Sequence, residues 1–313
     1  MNTDERRLKR RAFFKNAAAG AVALWAAPRV RAQQQTAGRV QRLTDKLVVL
    51  DGGGANVLAF ASADGSVLVD SGGPESGDQV LDELKHVAAS TQVQILFNTH
   101  YHLDQTGNNE LLAAAGAKII AHERTRQWMA APHWVPAQER YEKARPKMAL
   151  PTKTFLTTGT LKADDEKIGY GYLLLAHTSG DIYIHFKNAN VLAVGDVASP
   201  VRDPALDYFT GAWIGGRVDA MDLVLKLSNE QTRIVPAYGP VMTRAEFKSE
   251  RDLMEEVRAR LFTKVREGKG PKEMLEEGLL NGLSRRWEDP YKFLYDAAKG
   301  LWAHHDKLDP NVV

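Results

Sequence analysis

Two histidines and an aspartate stand in the run Asn98-Thr99-His100-Tyr101-His102-Leu103-Asp104-Gln105-Thr106-Gly107 at a spacing that suits a metal ion. On extended backbone, residues two positions apart point to the same side. His100 and His102 therefore share a face, and Asp104, at the turn into a helix, can converge on the same point. Imidazole and carboxylate are ligand types that hold zinc with one position open for water. Taken alone, the run also reads as a polar strand-to-helix loop whose histidines only hydrogen-bond.

Three further places carry similar chemistry. Ala176-His177-Thr178-Ser179-Gly180-Asp181 puts a histidine at a strand end beside a tight turn. Ala193-Val194-Gly195-Asp196 closes an apolar strand with a carboxylate. Val235-Pro236-Ala237-Tyr238-Gly239-Pro240 ends another strand in a Gly/Pro loop. Each alone is common at structural turns, but chance rarely gives four strand-end loops in this order. His86, His122, His133, His185, His304 and His305 lie outside these positions and are read as packing or surface residues. Trp134, Tyr208 and Trp213 are read as packing residues that could also border a pocket.

The elements that must position these groups follow from periodicity. Val93 to Phe97 is apolar and β-branched and reads as a buried strand leading into the first run. Asn108 to Ala115 reads as the helix after it. Upstream, Lys46–Leu50, Asn56–Ala61 and Ser66–Asp70 read as strands separated by glycine-rich turns, and residues 77–89 as an amphipathic helix. Lys118–Ala121 is a further strand, and residues 122–150 read as a helix with a surface excursion. A second β-rich half begins near Thr152, with strands expected at Tyr172–Ala176, Asp181–Phe186, Val191–Val194 and Arg233–Val235. Val218–Leu227 reads as a helix, as do Arg244–Arg266 and Tyr291–Ala303. Two β–α halves in sequence imply helices flanking packed sheets.

Composition narrows the chemistry. The chain has 313 residues and no cysteine, which excludes disulfides, thiolate ligands and cysteine nucleophiles. A transition metal must then be held by histidine and carboxylate. Residues 1–32 carry a basic stretch, Arg10-Arg11-Ala12-Phe13-Phe14-Lys15, then an alanine-rich apolar run and Val30-Arg31-Ala32. That order is the one expected of an export signal, and the paired arginines resemble the twin-arginine type. The apolar run is too short for a convincing membrane span. Of 41 basic and 39 acidic residues, the signal holds 8 and 2, leaving 33 against 37. The remaining chain is mildly acidic and gives no sign of a nucleic-acid partner. The expected setting is periplasmic, with the export machinery and a small-molecule substrate as partners.

On these residues the sequence resembles the metallo-β-lactamase-fold hydrolases over roughly residues 45–240. The features that carry the resemblance are His-x-His-x-Asp followed by Gly107, Asp70-Ser-Gly, His177-Thr-x-Gly-Asp and Gly195-Asp196. The resemblance implies an αββα sandwich with metal at one edge, in loops between the sheets. The expected organisation is a loose tail over 33–44, the domain over 45–242 and a helical C-terminal extension over 243–313 packed on it. By resemblance, His100, His102 and His177 hold a first metal and Asp196 bridges or closes it. Asp104 faces a second metal position, and Asp70 steadies the loops.

Two departures fall on the second metal. Gln105 stands where the family has histidine after the Asp, and Tyr238 stands where it has histidine in the late Gly/Pro loop. One zinc per chain is therefore expected, with a metal-bound hydroxide acting on an ester, lactone, thioester or amide such as a β-lactam. Asp104 then serves as general base and Tyr238 as a donor to developing charge. Two alternatives stay open: a metal- or ligand-binding protein without catalysis, and a redox enzyme on one iron ion.

Overall fold

A computed structural model describes residues 40–88, 91–135 and 140–304. The expected export signal and residues 33–39 of the tail lie outside that range. Gln41–Arg42, expected to be loose, instead forms a short strand, β1, that pairs antiparallel with Val48 and Val49.

Seven strands make the first sheet, in the order β1-β2-β3-β4-β5-β6-β9. Its inner members are β2 (Leu47–Asp51), β3 (Asn56–Phe60), β4 (Ser66–Val69), β5 (Val93–Phe97) and β6 (Lys118–His122). The strand β9 (Lys153–Phe155) forms the far edge. These strands are apolar on both faces because both faces are covered. Leu47, Val49, Leu58, Phe60, Val67, Val69, Phe97 and Ile120 face the second sheet. Val48, Leu50, Val57, Ala59, Leu68, Leu96 and Ile119 pack on the other side against Val80 and Leu84 of α1 (Gly77–Lys85).

The motif run itself winds into two short helices, α2 (Leu103–Thr106) and α3 (Asn109–Ala114). The helix α4 (Glu123–Ala130) follows β6. Residues 122–150 hold, besides this helix, a two-stranded hairpin of β7 (His133–Val135) and β8 (Arg140–Glu142), which their proline content hides from periodicity.

The second sheet has six strands. They are β10 (Thr158–Ala163), β11 (Glu166–Tyr172), β12 (Ile182–Phe186), β13 (Val191–Gly195), β14 (Arg233–Pro236) and β15 (Met242–Thr243). The strand expected at Tyr172–Ala176 is displaced. The chain leaves the sheet at Tyr172, and Leu175 takes φ 52°, so residues 173–176 belong to the loop that carries His177. Thr158–Ala163 and Glu166–Lys167 were masked in the sequence by glycine, lysine and aspartate, yet they alternate as an exposed hairpin does.

Helix α5 (Ile214–Leu227) makes the crossover between the parallel strands β13 and β14. Helix α6 (Arg244–Arg266) begins on a Thr243/Glu246 capping box and matches the expected span. With α7 (Pro271–Glu276) and α8 (Pro290–Ala303) it covers the outer face of the second sheet. There Phe247, Met254, Leu261, Phe293 and Leu294 meet Leu192, Val194 and Ile234. The layers therefore run helix, sheet, sheet, helix. No helix among the described residues is long and apolar enough to cross a membrane.

Parallel pairing sets where the chemistry falls. β4 and β5 are parallel neighbours, as are β13 and β14. Their carboxyl ends deliver Asp70, the His100 run, Asp196 and Tyr238 to one edge of the sandwich, as open α/β sheets do with their ligand sites. Gly107 locks the run in place. Its amide donates to Gly72 O at 2.9 Å, and a Cβ here would lie 2.3 Å from Pro74 N and 2.5 Å from Gly73 C. Backbone cannot yield as a flexible side chain does. Gly107→Ala should therefore lose about 1–3 kcal/mol in chemical denaturation, and an unchanged midpoint would contradict this packing.

Candidate metal centre

His100, His102 and His177 each offer one ring nitrogen, and these atoms lie within 4.8 Å of one another. The rings stand nearly edge to face, with centroids 4.7 to 4.9 Å apart. His100 and His177 are buried and His102 is partly open. Three imidazoles so close are set by their outer nitrogens.

Thr99 Oγ1 donates its only hydrogen to Asp70 Oδ2 at 2.8 Å, so at 3.0 Å it must accept from His100 Nδ1. His177 Nδ1 donates to the carbonyl of Ala205 at 2.9 Å. His102 turns Nε2 toward Asp207 Oδ2 at 3.5 Å. The inward atoms are then His100 Nε2, His177 Nε2 and His102 Nδ1. The last two are 3.0 Å apart, and His100 Nε2 is buried with no hydrogen-bond partner.

Burial and the neighbouring rings hold His100 well below the ordinary histidine pKa. Burial, then His102, takes His177 down to about 3. Burial opposes charge on His102 too, but the bond and charge of Asp207 outweigh it and raise its pKa. Lone pairs crowded on one buried point need a proton or a cation between them. Three imidazoles around zinc at 2.0–2.1 Å would have nitrogens about 3.3 Å apart, so the 3.0 Å pair of His102 and His177 would open by a few tenths of an ångström to take such an ion, and His100 completes a set whose donor atoms all lie within 4.8 Å.

The carboxylates expected at the site are placed as follows. Asp196 Oδ2 sits 3.6 Å from His100 Nε2 and 3.8 Å from His177 Nε2. Burial and then the charge of Asp104 push it up to about 7. Gly195 before it takes φ 57°, and a Cβ there would meet Thr99 Oγ1 at 2.8 Å. Asp70 accepts from Thr99 N as well as Thr99 Oγ1 and so acts on the centre through His100. Asp104 lies outside the histidine triangle and accepts through Oδ2 from the Tyr238 hydroxyl. Burial and Asp104 raise the Tyr238 pKa, which keeps the phenol protonated. Gln105 is fully buried, and neither its side-chain oxygen nor its nitrogen has a partner. Asp181 accepts from His177 N, Thr178 N and Thr178 Oγ1 at 2.7 Å each and so shapes the His177 turn.

Among the aromatics considered, Tyr208 borders a cavity of about 80 Å³ that His102, His177, Ala205, Leu206 and Asp207 also line. Trp134 packs on Tyr141 in the hairpin, and Trp213 stacks on His304. His122 stacks on Tyr172, away from the triad.

Sequence reasoning missed Asp207. It takes the Tyr101 hydroxyl at 2.5 Å and faces His102, and His102 in turn holds its carboxyl below the ordinary range against the cost of burial. It missed Arg217 as well, a fully buried guanidinium that donates to Ser199 Oγ at 2.9 Å and to Ala205 O at 3.4 Å. Ala205 O is the carbonyl that orients His177. Groups that orient a histidine ligand typically change metal affinity 10–100-fold, by the general behaviour of such partners. Asp207→Asn should weaken zinc binding by roughly that factor. Competition with a chelator measures it, and an unchanged affinity would remove Asp207 from the centre.

The chain matches the family model described as the metallo-β-lactamase superfamily over residues 50–259. A metallo-β-lactamase from Pontibacter korlensis superposes with a TM-score of 0.56 at 18% identity, covering 70% of this chain and 99% of that one. The DIM-1 metallo-β-lactamase gives 0.54 at 17%, covering 70% and 97%. A double mutant of the sec-alkyl sulfatase PisA1 gives 0.62 at 14%, covering 87% of this chain and 52% of that one. At these identities the solved structures speak for the fold alone. With the family model spanning more than half of its length, the chain belongs to the metallo-β-lactamase superfamily.

Proposed function

We propose that the protein is a hydrolase that works with a single zinc ion held by His100, His102 and His177, with Asp196 closing the set. The substrate class is a small ester, lactone, thioester or amide, β-lactams included among the amides. One observation carries this reading: three imidazoles, two of them buried, point their inner nitrogens at one spot, and His100 Nε2 has no hydrogen-bond partner there. When bound, zinc supplies Lewis acidity and lowers the pKa of a coordinated water to about 7.

The chain's own residues supply the proton handling. Tyr238 donates its only O–H to Asp104 Oδ2, which fixes that carboxylate and leaves its other oxygen to take a proton as general base. Once Asp104 is protonated, the Tyr238 hydroxyl is free to donate to negative charge developing on the substrate. Asp70 and Asp207 hold His100 and His102 in the tautomers that leave the inner nitrogens open.

The test is a panel of an ester, a lactone, a thioester and nitrocefin with zinc-loaded protein and its His100→Ala variant, together with metal analysis. Turnover of at least one substrate with one zinc per chain is expected, both lost in His100→Ala. Zinc-loaded protein with no turnover above the variant would favour a binding protein without catalysis, a reading that the unpartnered Gln105 and the committed Tyr238 support. Two zinc ions per chain would contradict the single-metal site, and iron in place of zinc would favour redox work.

We further propose that the chain is exported to the periplasm by the twin-arginine route, on the strength of Arg10-Arg11-Ala12-Phe13-Phe14-Lys15 and the alanine-rich run behind it. Replacing both arginines by lysine should leave the protein in the cytoplasmic fraction of the cell. Unchanged export would contradict it.

A further inference from the structure

Asp196 lies 3.6 Å from His100 Nε2, and Asp104 is close enough for its charge to burden Asp196. Two carboxylates in one site are a seat for a cation, over and above the one the imidazoles would take. The chain supplies that cation itself. The guanidinium carbon of Arg202 lies 3.3 Å from the centre of the Tyr238 ring, and the Tyr238 hydroxyl is bonded to Asp104. A guanidinium over an aromatic face is held by the ring's negative quadrupole. From there its charge bears on Tyr238 and, behind the buried Arg217, on Asp196.

The surrounding backbone is built to keep Arg202 in that position. Arg202 lies in the loop from Asp196 to Asp207, which is clamped from outside by the segment ahead of α8. Arg285 Nη2 donates to Ser199 O at 2.7 Å and to the carbonyl of Arg202. Asp203 Oδ2 accepts from Glu288 N at 2.9 Å and Asp289 N at 2.8 Å. An exposed arginine on a free loop would carry its backbone through many positions, but here the Arg202 carbonyl and the next side chain, Asp203, are tied down. The contact with the Tyr238 face and the clamp on the loop are separate observations that place one charge at one spot.

We propose that Arg202 is a positioning residue that acts as the pocket's built-in second cation, neutralising the Asp104–Asp196 pair and keeping a second metal ion out. The proposal rests on the reading of the histidine triad as a metal site. It differs from a plain loss of ligands, because it assigns the single-metal state to a charge that can be removed.

Zinc titration of the full chain by equilibrium dialysis with metal analysis, repeated with cobalt(II) and its visible absorption, tests it in wild type, Arg202→Lys and Arg202→Met. Methionine keeps apolar packing on Tyr238 without charge, and lysine keeps charge without the flat fork. Wild type and Arg202→Lys should hold one tight equivalent. Arg202→Met should bind a second equivalent roughly tenfold tighter than wild type does, as expected when a unit positive charge leaves the rim of a carboxylate-lined site. A further change in the cobalt spectrum should follow at that equivalent. Since Arg202 is exposed, all three proteins should melt alike. The proposal is overturned if the second equivalent binds Arg202→Met no better than wild type, or if Arg202→Lys behaves like Arg202→Met. One equivalent in every protein would leave the hydrolase reading intact while ending this one. A wild type that takes up no metal would end both.

Discussion

Three imidazoles whose donor nitrogens lie within 4.8 Å of one another form an arrangement that holds only if their outer nitrogens are engaged elsewhere and a proton or a cation sits between the inner ones. Each outer nitrogen meets a fixed acceptor: Thr99 backed by Asp70, and, from one loop far along the chain, the carbonyl of Ala205 and Asp207. Burial makes charged imidazole costly at His100 and His177. With their outer nitrogens so engaged, the rings turn their inner nitrogens toward one point, where a proton or a cation must sit. The sandwich exists, in functional terms, to bring those acceptors to one edge.

The acceptors come from elements far apart in sequence, and the fold joins them through strand ends. Asp70 leaves β4 and Thr99 leaves β5, and their parallel pairing sets the two side by side. Ala205 and Asp207 come from the loop after β13, which the C-terminal helices pin from outside. Arg217 of α5 reaches Ser199 and Ala205, and Glu250 of α6 accepts from Ser199 N at 2.8 Å. The C-terminal helices thus do more than cover apolar surface. They hold the loop that orients two of the three histidines and carries Arg202.

Much of this was legible in the sequence, because apolar runs and turn residues mark the strand ends where the chemistry sits. His100, His102, His177, Asp196 and Asp70 were all found as polar groups ending apolar strands, and the structure gathers them. The strands β10 and the first part of β11 were not legible, since a hairpin rich in glycine and lysine has too little apolar contrast to show a period of two. Asp207 was missed for another reason. Ala205-Leu206-Asp207-Tyr208 lies in a loop with no periodicity, and its role depends on a contact with His102 across 105 positions of chain. Arg202 likewise stands 36 positions from Tyr238, beyond the reach of any local pattern. The substitutions Gln105 and Tyr238 could be seen in the sequence, but the bond from Tyr238 to Asp104 and the isolation of the Gln105 amide could not.

X-ray absorption at the zinc edge of the loaded protein addresses the triad most directly. The outward tautomers predict a single zinc with three imidazole nitrogens at about 2.0–2.1 Å, the rest of its shell oxygen, and no metal–metal vector. Fewer than three imidazoles, or a second metal within 4 Å as in two-metal sites, would contradict it.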